Sequence, residues 1–355
     1  MESLKLNETP VRTSRNFNIN NVKLKNVQIP EKIEKFSNVK IENTTSKIKV
    51  LDLINKNFNL QYGLGDFLEN QVKEKSNQNY KIVIDSKTNK EVQIEFRFDS
   101  ENMNLVDNIE IEATENSKGT VIIKYENNGS NEFYHNGVIR MIAEKNSDVN
   151  VIIVNLLNIS SNNFISIENN LKDNSKVNYT IIDFGGKNSI TNYFSNLKGR
   201  NSENILNTIY LGKENQFFDL NYIAELKGQE SNVDIDVQGA LKDSAKKNFK
   251  GTIDFKRGAK KSKGNENEFC MLLSDKAKAM ALPMLLCSEE DVEGNHSTSS
   301  GKAGEKELFY IMSRGFEYKE AMKLLVKANF NKILYNIDNE ALREQVLYEI
   351  DNRLE

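Results

Sequence analysis

Lys145-Asn146-Ser147-Asp148-Val149-Asn150-Val151 returns as Lys172-Asp173-Asn174-Ser175-Lys176-Val177-Asn178. It returns again, more loosely, as Lys242-Asp243-Ser244-Ala245-Lys246-Lys247-Asn248-Phe249. Each phrase is a short polar turn that feeds a strand. Around these phrases the chain keeps period two from about Tyr80 for almost two hundred residues. Val92-Gln93-Ile94-Glu95-Phe96-Arg97-Phe98, Ile109-Glu110-Ile111-Glu112 and Val121-Ile122-Ile123-Lys124-Tyr125 come first. Val151 to Val154, Tyr179 to Ile182, Val233 to Val237 and Thr252 to Phe255 follow. The runs are short, rich in β-branched residues and bounded by Asn, Gly, Ser and Asp, which reads as strands. Turn phrases recurring every few tens of residues suggest stacked coils of a β-solenoid. A β-sandwich with meander connections is the competing arrangement. Many strands, no helical signal between them and the recurring phrases tilt the reading to the solenoid. Asn also suits hydrogen-bonded ladders between stacked strands.

The chain has 355 residues, 38% hydrophobic and 28% charged, enough for a sizeable core in one or two units. Its net charge of −3 argues against a broad cationic surface for nucleic acid. The longest apolar runs, such as Val151 to Val154 and Ala281 to Cys287, are too short to span a bilayer. MESLKLNETPVRTSRN has no apolar core of a secretory signal. Cys270 and Cys287 do not make a disulfide framework. These features predict a soluble, cytoplasmic protein.

Residues 1 to about 50 are polar and interrupted by Pro10 and Pro30, which predicts an extended arm with one short strand. Ile48 to Leu60 fits helix or strand. Asp66 to Lys75 reads as a short amphipathic helix after the Gly63-Leu64-Gly65 turn. That turn lacks the third glycine of a dinucleotide fingerprint. The expected division is 1–79 arm and short helical segment, 80–282 β-helix core, and 283–355 histidine loop and helical domain.

The C-terminal part turns on Pro283 to Gly315, PMLLCSEEDVEGNHSTSSGKAGEKELFYIMSRG. Glu293 to Thr298 has no apolar period and many turn formers, so it reads as a surface loop. A helix follows from Glu305 to Ser313, with Leu308, Phe309 and Met312 at helical spacing. Arg314 falls in its last turn and Gly315 at the C′ position. A second helix is expected over Tyr318 to Asn329, with Ala321, Leu324, Leu325 and Ala328 on one face. A third runs from about Asn339 to Leu354, with Leu342, Val346, Ile350 and Leu354 inward and Asp338 or Asn339 as cap. The three should pack as a bundle on the end of the solenoid.

Few residues offer chemistry. His296 carries an imidazole, a common ligand for iron, although a loop histidine read alone only bonds locally. Cys270 lies in the expected last strand before the loop, with Glu268 on the same face. A small buried core residue is the plainer reading of Cys270, and more so of Cys287. His135 reads as a turn residue. Glu289-Glu290-Asp291 and the basic run Lys256 to Lys263 read as solvated charge. There is no Cys-x-x-Cys, no metal-spaced His/Cys cluster, no phosphate-binding loop and no nucleophile–base set. The chain is not expected to be an enzyme.

Glu293 to His296, with EKELFYIMSRGF nine residues on, resembles the C-terminal signature of the SufB/SufD family of iron–sulfur cluster assembly proteins. In that family a histidine loop precedes an LFY helix and a Ser-Arg-Gly turn. GALKDSAKKNFKGTIDFKRGAKKSKG, Gly239 to Gly264, is similar to the family's last coils, where a Gly-Ala-Leu turn leads to a Phe-x-Gly-Thr strand. Tyr134 to Val151 resembles the clostridial-type, SufD-like branch, and ETPVRTSRNFNINN the SufD entry segment. The resemblance covers residue 80 onward well and the first 80 residues weakly. It implies a right-handed parallel β-helix and a scaffold subunit that performs no reaction alone. The last coils would pair with a SufB-like subunit or a second copy of this chain. The C-terminal helices, through Phe309, Tyr310, Arg314, Gly315 and Leu325, would dock a SufC-type ATP-binding-cassette ATPase. ATP-driven movement would then rearrange the interface where a transient iron–sulfur cluster forms. His296 is the candidate ligand to its iron and Cys270 stands second. SufB-type members carry a functional cysteine here that falls nearer Glu268. Absent SufB-type tryptophans favour the SufD side. A frequent family histidine near Glu225 to Gly228 is missing, and Gly294 and Asn295 fit neither branch, which keeps a self-pairing type open. The other class of reading is a β-helix carbohydrate-binding protein or polysaccharide lyase. It calls for charged residues clustered along one face and gives the helical tail no role.

Overall fold

The computed structural model describes residues 4–13, 19–25 and 27–355. Parts of the expected arm, 1–3, 14–18 and 26, lie outside the described residues. The arm holds more strand than one. β1 (Leu4–Leu6) pairs antiparallel with β2 (Val22–Leu24). β3 (Val39–Asn43) and β4 (Ile48–Asp52) follow, then α1 (Asp66–Lys75), as the amphipathic pattern predicts.

From Gln78 the chain winds through eight coils, each of two strands. One sheet stacks β6 (Lys87–Phe98), β8 (Lys118–Asn127), β10 (Asp148–Asn155), β12 (Lys176–Asp183), β14 (Glu203–Gly212), β16 (Asn232–Leu241), β18 (Ser262–Leu272) and β20 (Val292–Lys302). The other stacks β5 (Gln78–Ile84), β7 (Asn104–Ala113), β9 (Tyr134–Ala143), β11 (Asn162–Leu171), β13 (Asn188–Leu197), β15 (Phe217–Leu226), β17 (Lys246–Phe255) and β19 (Lys278–Cys287). All these pairings are parallel, so the chain is a β-solenoid and not a meander sandwich. Register partners lie from 26 residues apart, Asn162 and Asn188, to 32, Lys246 and Lys278. β3 and β4 run antiparallel along β6 and β5 and cover the first coil.

The recurring phrase works as a corner. Asn116, Asn146, Asn174 and Asn201 take φ of 62, 58, 55 and 52°, the left-handed region that Asn tolerates better than most residues. Their amides form a ladder, each Nδ2 donating to the previous Oδ1 at 2.9, 3.1 and 3.0 Å. The following serines, Ser117, Ser147, Ser175 and Ser202, each donate Oγ–H to the carbonyl three residues back. Lys242 to Phe249 looks alike in sequence but forms the opposite corner, between β16 and β17. There Asp243 is left-handed, and its carboxylate accepts from the Glu214 N–H at 3.0 Å.

Inward rows of Val, Ile, Tyr and Phe fill the solenoid. His135 is not a turn residue. It sits in β9, fully buried, with Nε2 2.6 Å from Asp107 Oδ1 and Nδ1 2.6 Å from Asn163 Oδ1. Asn163 donates to Ser189 Oγ at 3.0 Å, and Ser189 donates to Asp183 at 2.7 Å. Three of these bonds reach one coil on or back and the last stays within a coil, so every member of the run is partnered, as burial favours. Outside, the arm crosses the β11–β17 face. The Lys250 ammonium donates to the Asn7 carbonyl and to Asp219, at 2.7 and 2.6 Å, all of it buried.

The C-terminal stretch departs from expectation. Glu293 to Thr298 is not a loop but the middle of β20, in register with β18. No further coil covers it, so its side chains need no apolar period. Its strand character comes from backbone pairing and from Asn295–Asn265 and Ser297–Asn267 bonds of 3.0 and 2.7 Å. Cys270 is therefore two strands from the end of the solenoid. α2 (Glu305–Ser313) matches the expected span. α3 (Tyr318–Leu334) runs past Asn329, with Leu324 exposed and Val326, Phe330 and Ile333 turned inward. α4 (Glu340–Leu354) starts at Asn339, whose Oδ1 accepts from the Leu342 N–H at 2.9 Å. α3 and α4 pack on the flank of the solenoid rather than its end. Phe330, Ile333, Val346 and Ile350 cover Ile152, Val154, Ile182 and Ile209, and Lys332 pairs with Asp236 at 2.7 Å.

Candidate functional site

One end of the solenoid is covered by β3 and β4, and the other is open. β19 and β20 end their sheets, each with one neighbour. Just inside this end, β18 points Glu266, Glu268 and Cys270 inward, since alternate residues share a face. Glu268 is the engaged one. The Lys247 ammonium of β17 lies 2.7 Å away and the Tyr210 hydroxyl donates to it at 3.1 Å, all three buried. The Tyr210 ring crosses Gly239 of the next coil, where a Cβ would fall 1.8 Å from Tyr210 Cζ. Gly239-Ala240-Leu241 is thus strand, not turn, and its glycine makes room for an aromatic ring.

Cys270 is fully buried, and burial pushes its thiol up to about 11. A thiol held protonated in the core is a poor metal ligand, since the thiolate is the ligating form. Glu266 is 2% exposed, and burial, then the Glu268 charge, push its carboxyl up to about 8. Its carboxylate fills the place a Cβ would take at Gly251, 2.1 Å from Oε2. This explains the glycine of Phe249-Lys250-Gly251-Thr252 without any turn.

His296 lies opposite Glu266 in β20, with Thr298 opposite Glu268 and Ser300 opposite Cys270. It continues the same row and is solvent-exposed at the mouth. Cys287 is exposed rather than buried, because β19 has no coil above it. Its thiol donates to the Glu289 carbonyl at 2.9 Å, beside a cavity of about 630 Å³ lined by Phe255, Leu285, Val292 and Gly294. Glu289 is more than solvated charge. It accepts the Gly258 N–H at 2.9 Å and ties two corners. Lys256 likewise reaches Asp254 at 2.5 Å and Glu225 at 3.4 Å. Among the described residues, no three His, Cys, Asp or Glu side chains converge as a metal site. Among them, too, no helix is long and apolar enough to cross a membrane.

A second feature lies on the helices. Phe309 is 75% exposed, and Tyr310, Met312, Phe316 and Tyr318 are exposed around it. Arg314 stacks on the Tyr310 ring at 5.1 Å and donates to its hydroxyl at 3.0 Å. Gly315 takes φ 96° and ends α2. Leu325 is half-buried against the helical core and lines a shallow pocket together with Tyr310 and Ile311.

Sequence reasoning found His296, Cys270 and Glu268 but not Glu266, Lys247 or Tyr210. The signal for Glu266 was its alternation with Glu268 and Cys270. Lys247 and Tyr210 are brought in only by the stacking of coils.

Residues 96–329 match the family model described as "SUF system FeS cluster assembly, SufBD core domain". The chain is 27% identical over 180 residues to an iron–sulfur cluster assembly protein SufD of Bacillus subtilis, covering 51% of this chain and 41% of that protein. It is 29% identical over 237 residues to a SufBD family protein of Pyrococcus horikoshii, covering 58% and 53%. To SufD of Escherichia coli it is 24% identical over 164 residues, covering 46% and 38%. The matched parts span about half or less of these relatives. By the matched core domain and by these relatives, the chain belongs to the SufB/SufD family of iron–sulfur cluster assembly proteins, on its SufD-like side.

Proposed function

We propose that this chain is a non-catalytic scaffold subunit of a Suf iron–sulfur cluster assembly complex in the cytoplasm. The observation that carries this reading is the open end. β19 and β20 leave the free edges of both sheets beside an exposed His296. A free edge is a template for another chain, and natural proteins rarely leave one uncovered. A SufB-like subunit, or a second copy of this chain, pairs there. The cluster under assembly is cargo at that junction, with His296 offering an imidazole to its iron. Cys270, capped by the Glu268–Lys247–Tyr210 group, contributes packing. Phe309 and its aromatic neighbours, with Arg314 stacked on Tyr310, form an exposed apolar patch suited to a SufC-type ATPase. ATP binding and hydrolysis by that partner then open or rearrange the paired end.

His296→Ala tests the site. The complex should assemble as before while cluster formation on it falls. Undiminished cluster formation would remove His296 from the site.

A further inference from the structure

His135 sits in the lumen beside Gly137, where a Cβ would fall 2.7 Å from Asp107 Oδ1 and 2.9 Å from His135 Nε2. That glycine makes room for the ring and the carboxylate to meet. The bonds around the ring fix where its hydrogens are. The Ser189 hydroxyl has one hydrogen and gives it to Asp183 Oδ2 at 2.7 Å, so it accepts from Asn163. Asn163 therefore turns its Nδ2 to Ser189, at 3.0 Å, and its Oδ1 to His135 Nδ1, at 2.6 Å. An amide oxygen only accepts, so Nδ1 donates. On the other side, Asp107 Oδ2 accepts the single hydroxyl hydrogen of Tyr125 at 3.1 Å, and Oδ1 lies 2.6 Å from Nε2. Burial, then the Asp107 charge, raise the Tyr125 hydroxyl, which keeps that hydrogen. A carboxylate that accepts at both oxygens takes its second hydrogen from Nε2.

We infer that His135 is a resident imidazolium, the buried cation at the centre of a clasp that draws one side chain from every strand between β7 and β13. The run enters at Tyr125 on β8 and passes Asp107 on β7 and His135 on β9. It continues through Asn163 on β11 and Ser189 on β13 to Asp183 on β12. Asn155 of β10 ends it, donating to Asp183 Oδ1 at 2.9 Å. Asp107 balances the charge of the ring, as burial of a charge requires. The Tyr125 ring lies 4.1 Å from the imidazole, a placement that suits a cation. Tyr80 lies close enough to Asp107 to feel its charge, as Tyr222 of β15 and Arg353 of α4 do to Asp183. From the imidazolium onward every donor points toward Asp183, so the bonds polarise one another. The clasp braces β7 to β13 as one block. On the scaffold reading, movement imposed at the open end then falls to the coils after β13; the imidazolium and its clasp stand without that reading.

The chain has two histidines, so His296→Ala leaves one imidazole and an unambiguous nitrogen-15 spectrum of it. The spectrum is recorded at about pH 7.5, above the value of about 6 to which Asp183 is raised. The expected result is a hydrogen on both ring nitrogens. A neutral ring, in either tautomer, overturns the assignment. Asp107→Asn in the same background removes the counter-charge and should turn the ring neutral; an unchanged imidazolium overturns the pair. Hydrogen exchange reads the clasp. Asp107→Asn should speed amide exchange by about tenfold or more across β7 to β13 together. Acceleration confined to β7 and β9 overturns the clasp. Ser189→Ala, at the far end of the run, should spread its effect back to β7 in the same way, and decides the matter where Asp107→Asn does not fold. The scaffold reading fails separately, when the ring is an imidazolium but no Suf partner associates.

Discussion

Gly239→Ala puts the packing of the candidate site to a sharp test. The new Cβ would lie 1.8 Å from Tyr210 Cζ and 2.3 Å from both Cε atoms. Ordinary carbon contacts are about 3.5–4.0 Å, so the ring must retreat by roughly 1.5 Å. Tyr210 is fully buried, so the ring cannot swing out into solvent. Overpacking of this kind costs about 1–3 kcal/mol. The retreat also breaks the 3.1 Å bond to Glu268. A hydrogen bond to a charged group is worth about 1.5–3 kcal/mol, so the total loss is about 2.5–6 kcal/mol. Urea unfolding followed by circular dichroism gives the midpoint, and hydrogen exchange localises the loss. Protection should fall first in β14, β16 and β18, because coils of a solenoid depend on their neighbours. Tyr210→Leu removes the ring and should relieve the clash. The double variant should then be more stable than the sum of the singles by about 0.5–3 kcal/mol, the range of coupling between residues in contact. An unchanged midpoint for Gly239→Ala, or strict additivity in the cycle, would refute the geometry.

Asp183 offers a pH test. It is fully buried, and desolvation raises its carboxyl from 3.8 to about 6 despite bonds from Ser189 and Asn155. A raised folded value means the folded state keeps its proton longer, so the stability it contributes is complete below 3.8 and is lost as pH rises through 6. A rise from 3.8 to about 6 corresponds to about 3 kcal/mol, at roughly 1.4 kcal/mol for each tenfold change in proton affinity. Asp183→Asn should remove that slope from a stability profile between pH 4 and 7; a slope that persists contradicts the assignment. At the corner, Asn174→Ala loses two rungs of the ladder and strains a φ of 55°. It should destabilise by about 1–2 kcal/mol in urea unfolding, and Asn174→Gly should recover most of that. Equal midpoints for the Ala and Gly variants would show that left-handed strain is not what the corner Asn relieves.

The solenoid was legible because its signal is local and repeated. Alternation fixes which residues point inward, and the Asn-Ser phrase fixes where the chain turns. The two corners were not separable by eye, because Lys242-Asp243-Ser244 and Lys145-Asn146-Ser147 use the same turn chemistry on opposite sides. β20 was misread as a loop because an edge strand with nothing above it carries no apolar period. Its partner β18 lies thirty residues back, Val292 facing Ser262. His135 was misread for a related reason. The residues that bury it, Asp107 and Asn163, are each 28 positions away. The same distance hid Glu266. Its place in the lumen, over Gly251, exists only when coils stack. The helices were clear in number and nearly in span. Their docking on the flank was not, because the apolar outward faces of β10 and β12 read like any buried strand.

The central claim, that the open end and the aromatic patch make this chain an assembly subunit, is tested most directly by co-expression. The chain would be produced with a SufB-like subunit and a SufC-type ATPase, and purified material weighed by size-exclusion chromatography with light scattering. A stable assembly containing all three is the predicted result, and Phe309→Asp should release the ATPase from it. Assembly with the ATPase alone, at a mass that requires two copies of this chain, would assign the open end to self-pairing. A lone monomer that retains neither partner would contradict the account.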